Sequence, residues 1–307
     1  MTTARDRYLA RDRVFLYDVS EGTQDRAIEE ITGVIYAQSD TGDPLRMNIL
    51  HGTEPTDTPR PAMVWIHGGG WGWRGIKDTY LHGTYVNYPF ALEGYFTATI
   101  EYTLSPRAPF PAQIHDCKAA IRWLRAHASQ YNIDPERIGV WGRSAGGHLC
   151  NLMGTTGEVK DLEGTGGWGD YPSHVNAVLD YFGPTDLTSI AGPHNGEKEA
   201  HIRNLLSIFF DGPIEERLSL TQRANPIRYV TPQAAPFLII HGEQDLPVPI
   251  SQGNALHEAL LAHGVPSTFV SVSNAAHGLL PSPPESTIDP SLPELYAHIR
   301  DFLGKYL

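Results

Sequence analysis

A serine hydroxyl becomes a useful nucleophile when a base can take its proton and fixed donors await the charge its attack creates. The stretch Val140-Trp141-Gly142-Arg143-Ser144-Ala145-Gly146-Gly147 reads as a place for that chemistry. An apolar run ends there, and Ser144 falls between Gly142 and Gly146 in the spacing G-x-S-x-G. A strand leading in and a helix leading out would put the serine at the apex of a sharp, strained turn. Its flanks must then be small, because side chains would collide across the turn. Gly147 lets the new helix pack close to the sheet. The backbone N–H of Ala145, at the helix start, points at the future oxyanion. An ordinary helix N-cap would explain Ser144 but not the three glycines around it.

A second cluster lies upstream, where Met63 to Ile66 runs into His67-Gly68-Gly69-Gly70-Trp71-Gly72-Trp73. Successive glycines expose backbone N–H groups without side-chain cover, as an oxyanion hole requires. A phosphate loop would end in G-K-[ST], and a dinucleotide site would open a helix with G-x-G-x-x-G; neither is present.

Both clusters need a scaffold. Short β-rich runs alternate with helical patterns, which predicts an α/β fold: a mostly parallel central sheet with helices on both faces. The predicted strands are Met63 to His67, Tyr95 to Tyr102, Ile138 to Trp141, Val175 to Phe182, Phe237 to His241 and Thr268 to Val272. Val14 to Val19 and Ile31 to Ala37 read as a leading antiparallel pair. After Pro111, the residues Ile114, Cys117, Ile121 and Leu124 recur at helical spacing, and Lys118, Arg122 and Arg125 fall away from that stripe. Further helices are predicted over Ala145 to Met153, Ser251 to His263 and Leu292 to Tyr306. Gly154 to Pro172 reads as a loop. Residues 183–236 hold helical pieces, His201 to Phe210 among them, but no good strand. They read as a cap insertion over the carboxyl ends of the strands, where ligands bind in such sheets. The whole of 1–307 is expected to form a single domain around one sheet.

Bulk properties narrow the function. A formal charge of -12 argues against nucleic acid as a partner and disfavours an anionic membrane surface. No apolar run approaches the length of a membrane span, and the charged N-terminus lacks the apolar core of a signal peptide, so a cytoplasmic location is expected. The two cysteines, Cys117 and Cys150, exclude a disulfide scaffold. Both are expected as buried free thiols, with a single bridge left open. There is no metal motif of the H-E-x-x-H or paired-cysteine kind, so neither metal nor cofactor is expected. Paired-carboxylate glycosidase chemistry would leave both glycine clusters unexplained.

HGGGW and GRSAGG, about 75 residues apart with a strand before each, resemble the α/β-hydrolase superfamily. They are similar in particular to its hormone-sensitive-lipase-like and bacterial feruloyl/acetylxylan esterase branches. EYTLSPRAPFPAQIHDCKAAIRWL resembles the segment those esterases carry between the two motifs, and the likeness runs from about Met63 to the C-terminus. It implies an α/β-hydrolase fold and a serine, acid, histidine order. By motif position the acid is Asp245, in the loop after Phe237 to His241, ahead of Glu243 two residues earlier. Asp186 in GPTD reads as a helix cap. The base is His277, in the small-residue loop after the last strand. It is preferred over His241, His257 and His263, and over His148, which lies a turn into the helix and points the wrong way. Among the glycines the resemblance makes Gly69 and Gly70 the oxyanion donors beside Ala145, and Gly68 the turn. Trp71, Trp73, Tyr181 and Phe182, with Tyr80, are candidates for the substrate pocket. The implied activity is a serine carboxylesterase acting on a small-molecule ester with a short or aromatic acyl group. HGGxW also fits kynurenine formamidases, and a non-catalytic binding protein on this fold is the alternative class. The sequence leaves the oligomeric state open, a homodimer being one option.

Overall fold

The computed structural model describes residues 26–72, 84–190 and 197–307. Val14 to Val19, Trp73 and Tyr80 lie outside the described residues.

Eight strands of the described residues form one sheet: β1 (Ile28–Gln38), β2 (Pro44–Gly52), β3 (Arg60–Ile66), β4 (Phe96–Ile100), β5 (Ile133–Arg143), β6 (Ala177–Tyr181), β7 (Phe237–Gly242) and β8 (Ser267–Val272). Their order is β1-β2-β4-β3-β5-β6-β7-β8. β3 to β8 pair in parallel, while β2 runs antiparallel to both β1 and β4. Among the described residues Ile31 to Ala37 pairs antiparallel with Pro44–Gly52, a strand the sequence reading passed over. The longer helices are α1 (Ala112–Ala126), α2 (Ala145–Thr155), α3 (Glu197–Phe210), α4 (Ser251–Ala262) and α5 (Leu292–Tyr306).

Period-two alternation divides the strand side chains between two cores. Val64, Ile66, Val140, Val178 and Ile239 join Ile114, Ile121, Leu149 and Leu256 on the face covered by α1, α2 and α4. Met63, Trp65, Trp141, Leu179 and Ile240 join Leu295, Ile299 and Phe302 of α5 on the other. α5 starts where it does because Ser291 and Glu294 make a reciprocal capping box, the Ser291 N–H donating to Glu294 Oε2 at 2.8 Å.

The basic residues of α1 do not face water. Lys118, Arg122 and Arg125 are buried beneath the segment that follows α2. Lys118 Nζ donates to the Thr156 carbonyl at 2.6 Å and to the Glu163 carboxylate. Arg122 donates to the carbonyls of Glu163 and Gly167, and Arg125 to those of Pro172 and His174. A loop without a sheet partner has carbonyls to satisfy, and these side chains satisfy them. Cys117 and Cys150 are buried free thiols.

Among the described residues no helix is long and apolar enough to cross a membrane, and no cluster of His, Cys, Asp or Glu could hold a metal ion.

Candidate active site

β5 delivers Ser144 to the carboxyl edge of the sheet, and α2 begins at the next residue. Ser144 has φ 54° and ψ -122°, a conformation that non-glycine residues rarely adopt. Its N–H donates to the Tyr181 carbonyl at 2.9 Å, and its carbonyl accepts from His148 at 2.9 Å. The small flanks have the reason that the spacing suggested. A Cβ on Gly142 would lie 2.6 Å from the Ile66 carbonyl oxygen, and one on Gly146 only 2.1 Å from the same atom. The turn is wedged against the end of β3, the strand that carries the second glycine cluster.

Two loops bring the other groups. After β7, Asp245 accepts the Val248 N–H on Oδ1 at 2.9 Å, which aims Oδ2 outward from the loop. After β8, the chain carrying His277 is laced to that loop, the Gln244 N–H donating to the Ala275 carbonyl at 2.9 Å. The result is a continuous chain of contacts. His277 Nδ1 lies 2.7 Å from Asp245 Oδ2, and His277 Nε2 lies 3.1 Å from Ser144 Oγ. The Asp245 carboxylate is wholly buried, while the His277 side chain keeps 30% of its exposure. A buried carboxylate accepting from Nδ1–H leaves Nε2 free to accept the serine proton. The ring of Phe182 meets that of His277 in a T-shaped contact at 4.8 Å between centroids.

The rival residues are elsewhere. Glu243 accepts from the Ser271 hydroxyl at the surface. Asp186 caps the short turn Leu187–Ile190, accepting from the N–H groups of Thr188 and Ser189. His257 pairs with the Ser267 hydroxyl, and His263 caps its own helix through the Ala259 carbonyl. His241 does approach Asp245, at 3.7 Å, but its Nε2–H goes to the Val248 carbonyl at 2.8 Å, and burial pushes its pKa down. It is a neutral brace for the acid loop. His148 is fully buried, and burial lowers its pKa to about 4. His67 has its pKa lowered to about 4 for the same reason and stacks on Tyr102.

The glycine cluster follows β3 and bends back over the serine. Gly69 and Gly70 have φ of 106° and 56°, values that glycine adopts without a steric penalty. A Cβ on Gly70 would lie 2.9 Å from a Leu205 methyl of α3. Ala145 is the first residue of α2, where backbone N–H groups have no acceptor within the helix. Gly69, Gly70, Ala145, Ser144 and His277 all border one cavity of about 670 Å³.

Of the predicted pocket residues, Trp71 and Phe182 line this cavity and Tyr181 does not. Tyr181 is the last residue of β6, and alternation turns its ring into the α5 core with Leu179. Phe182 follows the strand with φ 44°, and that reversal presents its ring to the site. The sequence reading did not single out Arg143, Tyr85 or Leu205, which also line the cavity. Arg143, next to the serine in G-x-S-x-G, could have been found from that position alone. α3 contributes Ile202, Leu205 and Leu206, a helical i, i+3, i+4 set, to the cavity wall.

Known proteins share this architecture and parts of this sequence. A truncated carbohydrate esterase from gut microbiota superposes with a TM-score of 0.75 at 28% identity, over 92% of this chain and 98% of that one. Mycobacterium tuberculosis esterase LipC is 29% identical over 76% of this chain and 59% of its own length. LipQ from the same organism is 31% identical over 71% of this chain and 50% of its own length. The chain therefore spans between half and three fifths of these curated relatives. The fold is that of the α/β-hydrolases. A sequence profile of the BD-FAE family matches residues 47–260, well over half of the chain, and the protein belongs to that family.

Proposed function

We propose that this protein is a serine carboxylesterase that works through an acyl-enzyme. The observation that carries the reading is the unbroken sequence Asp245 Oδ2, His277 Nδ1, His277 Nε2, Ser144 Oγ, with contacts of 2.7 and 3.1 Å. Ser144 attacks the ester carbonyl as His277 takes its proton. Asp245 holds the imidazole in the right tautomer and stabilises the imidazolium. The carbonyl oxygen becomes an oxyanion that receives the N–H groups of Gly69, Gly70 and Ala145. His277 then protonates the leaving alcohol, and water, activated by the same nitrogen, releases the acid.

The cavity walls supply the substrate preference. Trp71, Phe182, Ile202, Leu205 and Leu206 make an apolar surface within a cavity of about 670 Å³ that α3 covers. Such a space suits a short or aromatic acyl group. The esterase names of LipC and LipQ, and of the carbohydrate esterase, support ester cleavage.

The test is turnover of 4-nitrophenyl acetate, methyl ferulate and N-formylkynurenine by the protein and by Ser144→Ala. Turnover of acetate-type esters is expected, with kcat lowered by about 10⁴-fold or more in the variant at unchanged Tm. Absence of turnover on all three by folded protein would refute the reading. Cleavage of N-formylkynurenine alone would replace it with a formamidase.

A further inference from the structure

His148 is polar, fully buried and unused by the mechanism above. Both of its ring nitrogens are engaged. Trp71 Nε1 lies 3.1 Å from His148 Nδ1, and His148 Nε2 lies 2.6 Å from the Ala224 carbonyl oxygen. An indole N–H can only donate and a carbonyl can only accept, so Nδ1 is the bare nitrogen and Nε2 carries the proton. The imidazole is therefore a neutral relay between the glycine loop and the segment 183–236.

Trp71 follows Gly70 directly and has φ 58°, a backbone conformation unfavourable to a bulky residue. Something must hold it there. Its carbonyl accepts from the Ser105 N–H at 2.9 Å and the Ser105 hydroxyl at 3.1 Å. Its ring stacks on Phe209 of α3 at 4.3 Å between centroids. A stack has no preferred direction within the ring plane, whereas the bond to Nδ1 gives the indole one defined orientation. His148 also stands four residues after Ser144 on α2, so one helix turn ties the nucleophile to the far end of the loop that faces it.

Resting on the hydrolase reading above, we propose that His148 is a positioning residue of the oxyanion hole. By accepting the Trp71 N–H it locks the Gly69-Gly70-Trp71 backbone in register with Ser144.

Two variants separate this role from simple core stability. In His148→Asn the amide oxygen replaces Nδ1 as acceptor for Trp71, and the bond to Ala224 is lost. In His148→Gln the amide N–H replaces Nε2 as donor to Ala224, and the bond from Trp71 is lost. Each loses one buried hydrogen bond, so a purely structural residue would give two similar enzymes. The proposal expects Asn to stay within about threefold of the parent kcat, and Gln to lose about ten- to a hundredfold with KM nearly unchanged. The affinity of a phenyl trifluoromethyl ketone, which mimics the tetrahedral intermediate, should weaken by the same factor in Gln. Trp71→Phe, which keeps the stack and deletes the donor, should match Gln, and the double variant should lose no more than either single one. An active parent whose Gln and Phe variants keep kcat and inhibitor affinity would overturn the proposal alone. A parent inactive on every ester would overturn the hydrolase reading with it.

Discussion

Replacing Gly146 by alanine puts one methyl group where the structure has no room for it. The new Cβ would lie 2.1 Å from the Ile66 carbonyl oxygen, 2.7 Å from that of His67 and 2.8 Å from the His67 carbonyl carbon. All three are backbone atoms at the end of β3, so no flexible side chain can swing aside. Reaching even 3.0 Å from the nearest requires α2 and β3 to separate by about 0.9 Å. Alanine gains about 1 kcal/mol of helix propensity over glycine. Overpacking a rigid site costs about 1–3 kcal/mol and occasionally more, so the net change is a loss of stability. The functional cost is larger. The two elements forced apart carry Ser144 and the glycine loop, and misplacing reacting groups by about 1 Å costs about a hundredfold in rate. The assay is thermal unfolding by circular dichroism beside 4-nitrophenyl acetate turnover. The expected protein folds with a lowered Tm and about a hundredfold lower kcat. A Gly146→Ala enzyme with parental Tm and parental kcat would refute the claim that close backbone approach shapes this turn.

Two further outcomes follow from the same geometry. Asp245→Asn should lower kcat by about 10⁴-fold, because an amide donor facing Nδ1 favours the wrong tautomer of His277; steady-state kinetics at saturating ester read it. His67 has its pKa depressed to about 4 from 6.5 by burial, so the unfolded chain takes up its proton first as pH falls. Its contribution to stability is complete above about pH 6.5 and is lost as pH falls towards 4. Asp116 and Asp180, raised by burial to about 7 and about 6, act in the opposite direction over much of that range. His67→Asn, which can still donate to the Gly68 carbonyl, should therefore make the change in stability from pH 7 to pH 5 more favourable than in the parent by about 1–2 kcal/mol in urea titrations, whatever the sign of the parent's own change.

Some of this was legible in the sequence because the chemistry left local marks. G-x-S-x-G between an apolar run and a helix pattern located Ser144, and the loops after the last two strands located Asp245 and His277. The family resemblance chose among the 14 histidines. β2 escaped because Arg46, Asn48 and His51 break its apolar pattern, although Asn48 is buried and bonded to Gly33 and Thr84. Tyr181 was misplaced because the facing of the final strand residue depends on register, which one segment does not reveal. Periodicity placed Lys118, Arg122 and Arg125 off the apolar stripe but could not report what covers them, because all but one of the carbonyls they bond come from 38 to 49 residues away. His148 carried no local sign at all. Its partners, Trp71 and Ala224, lie 77 and 76 residues away and meet it only in the folded chain.

The hydrolase reading requires that Ser144 be a nucleophile made reactive by His277. Labelling with a fluorophosphonate, followed by peptide mass mapping, tests it most directly. One adduct per chain is expected, on Ser144, absent from Ser144→Ala and formed at least about a thousandfold more slowly in His277→Ala. A folded protein that takes the label on another residue, or whose Ser144 reacts equally fast without His277, would contradict it.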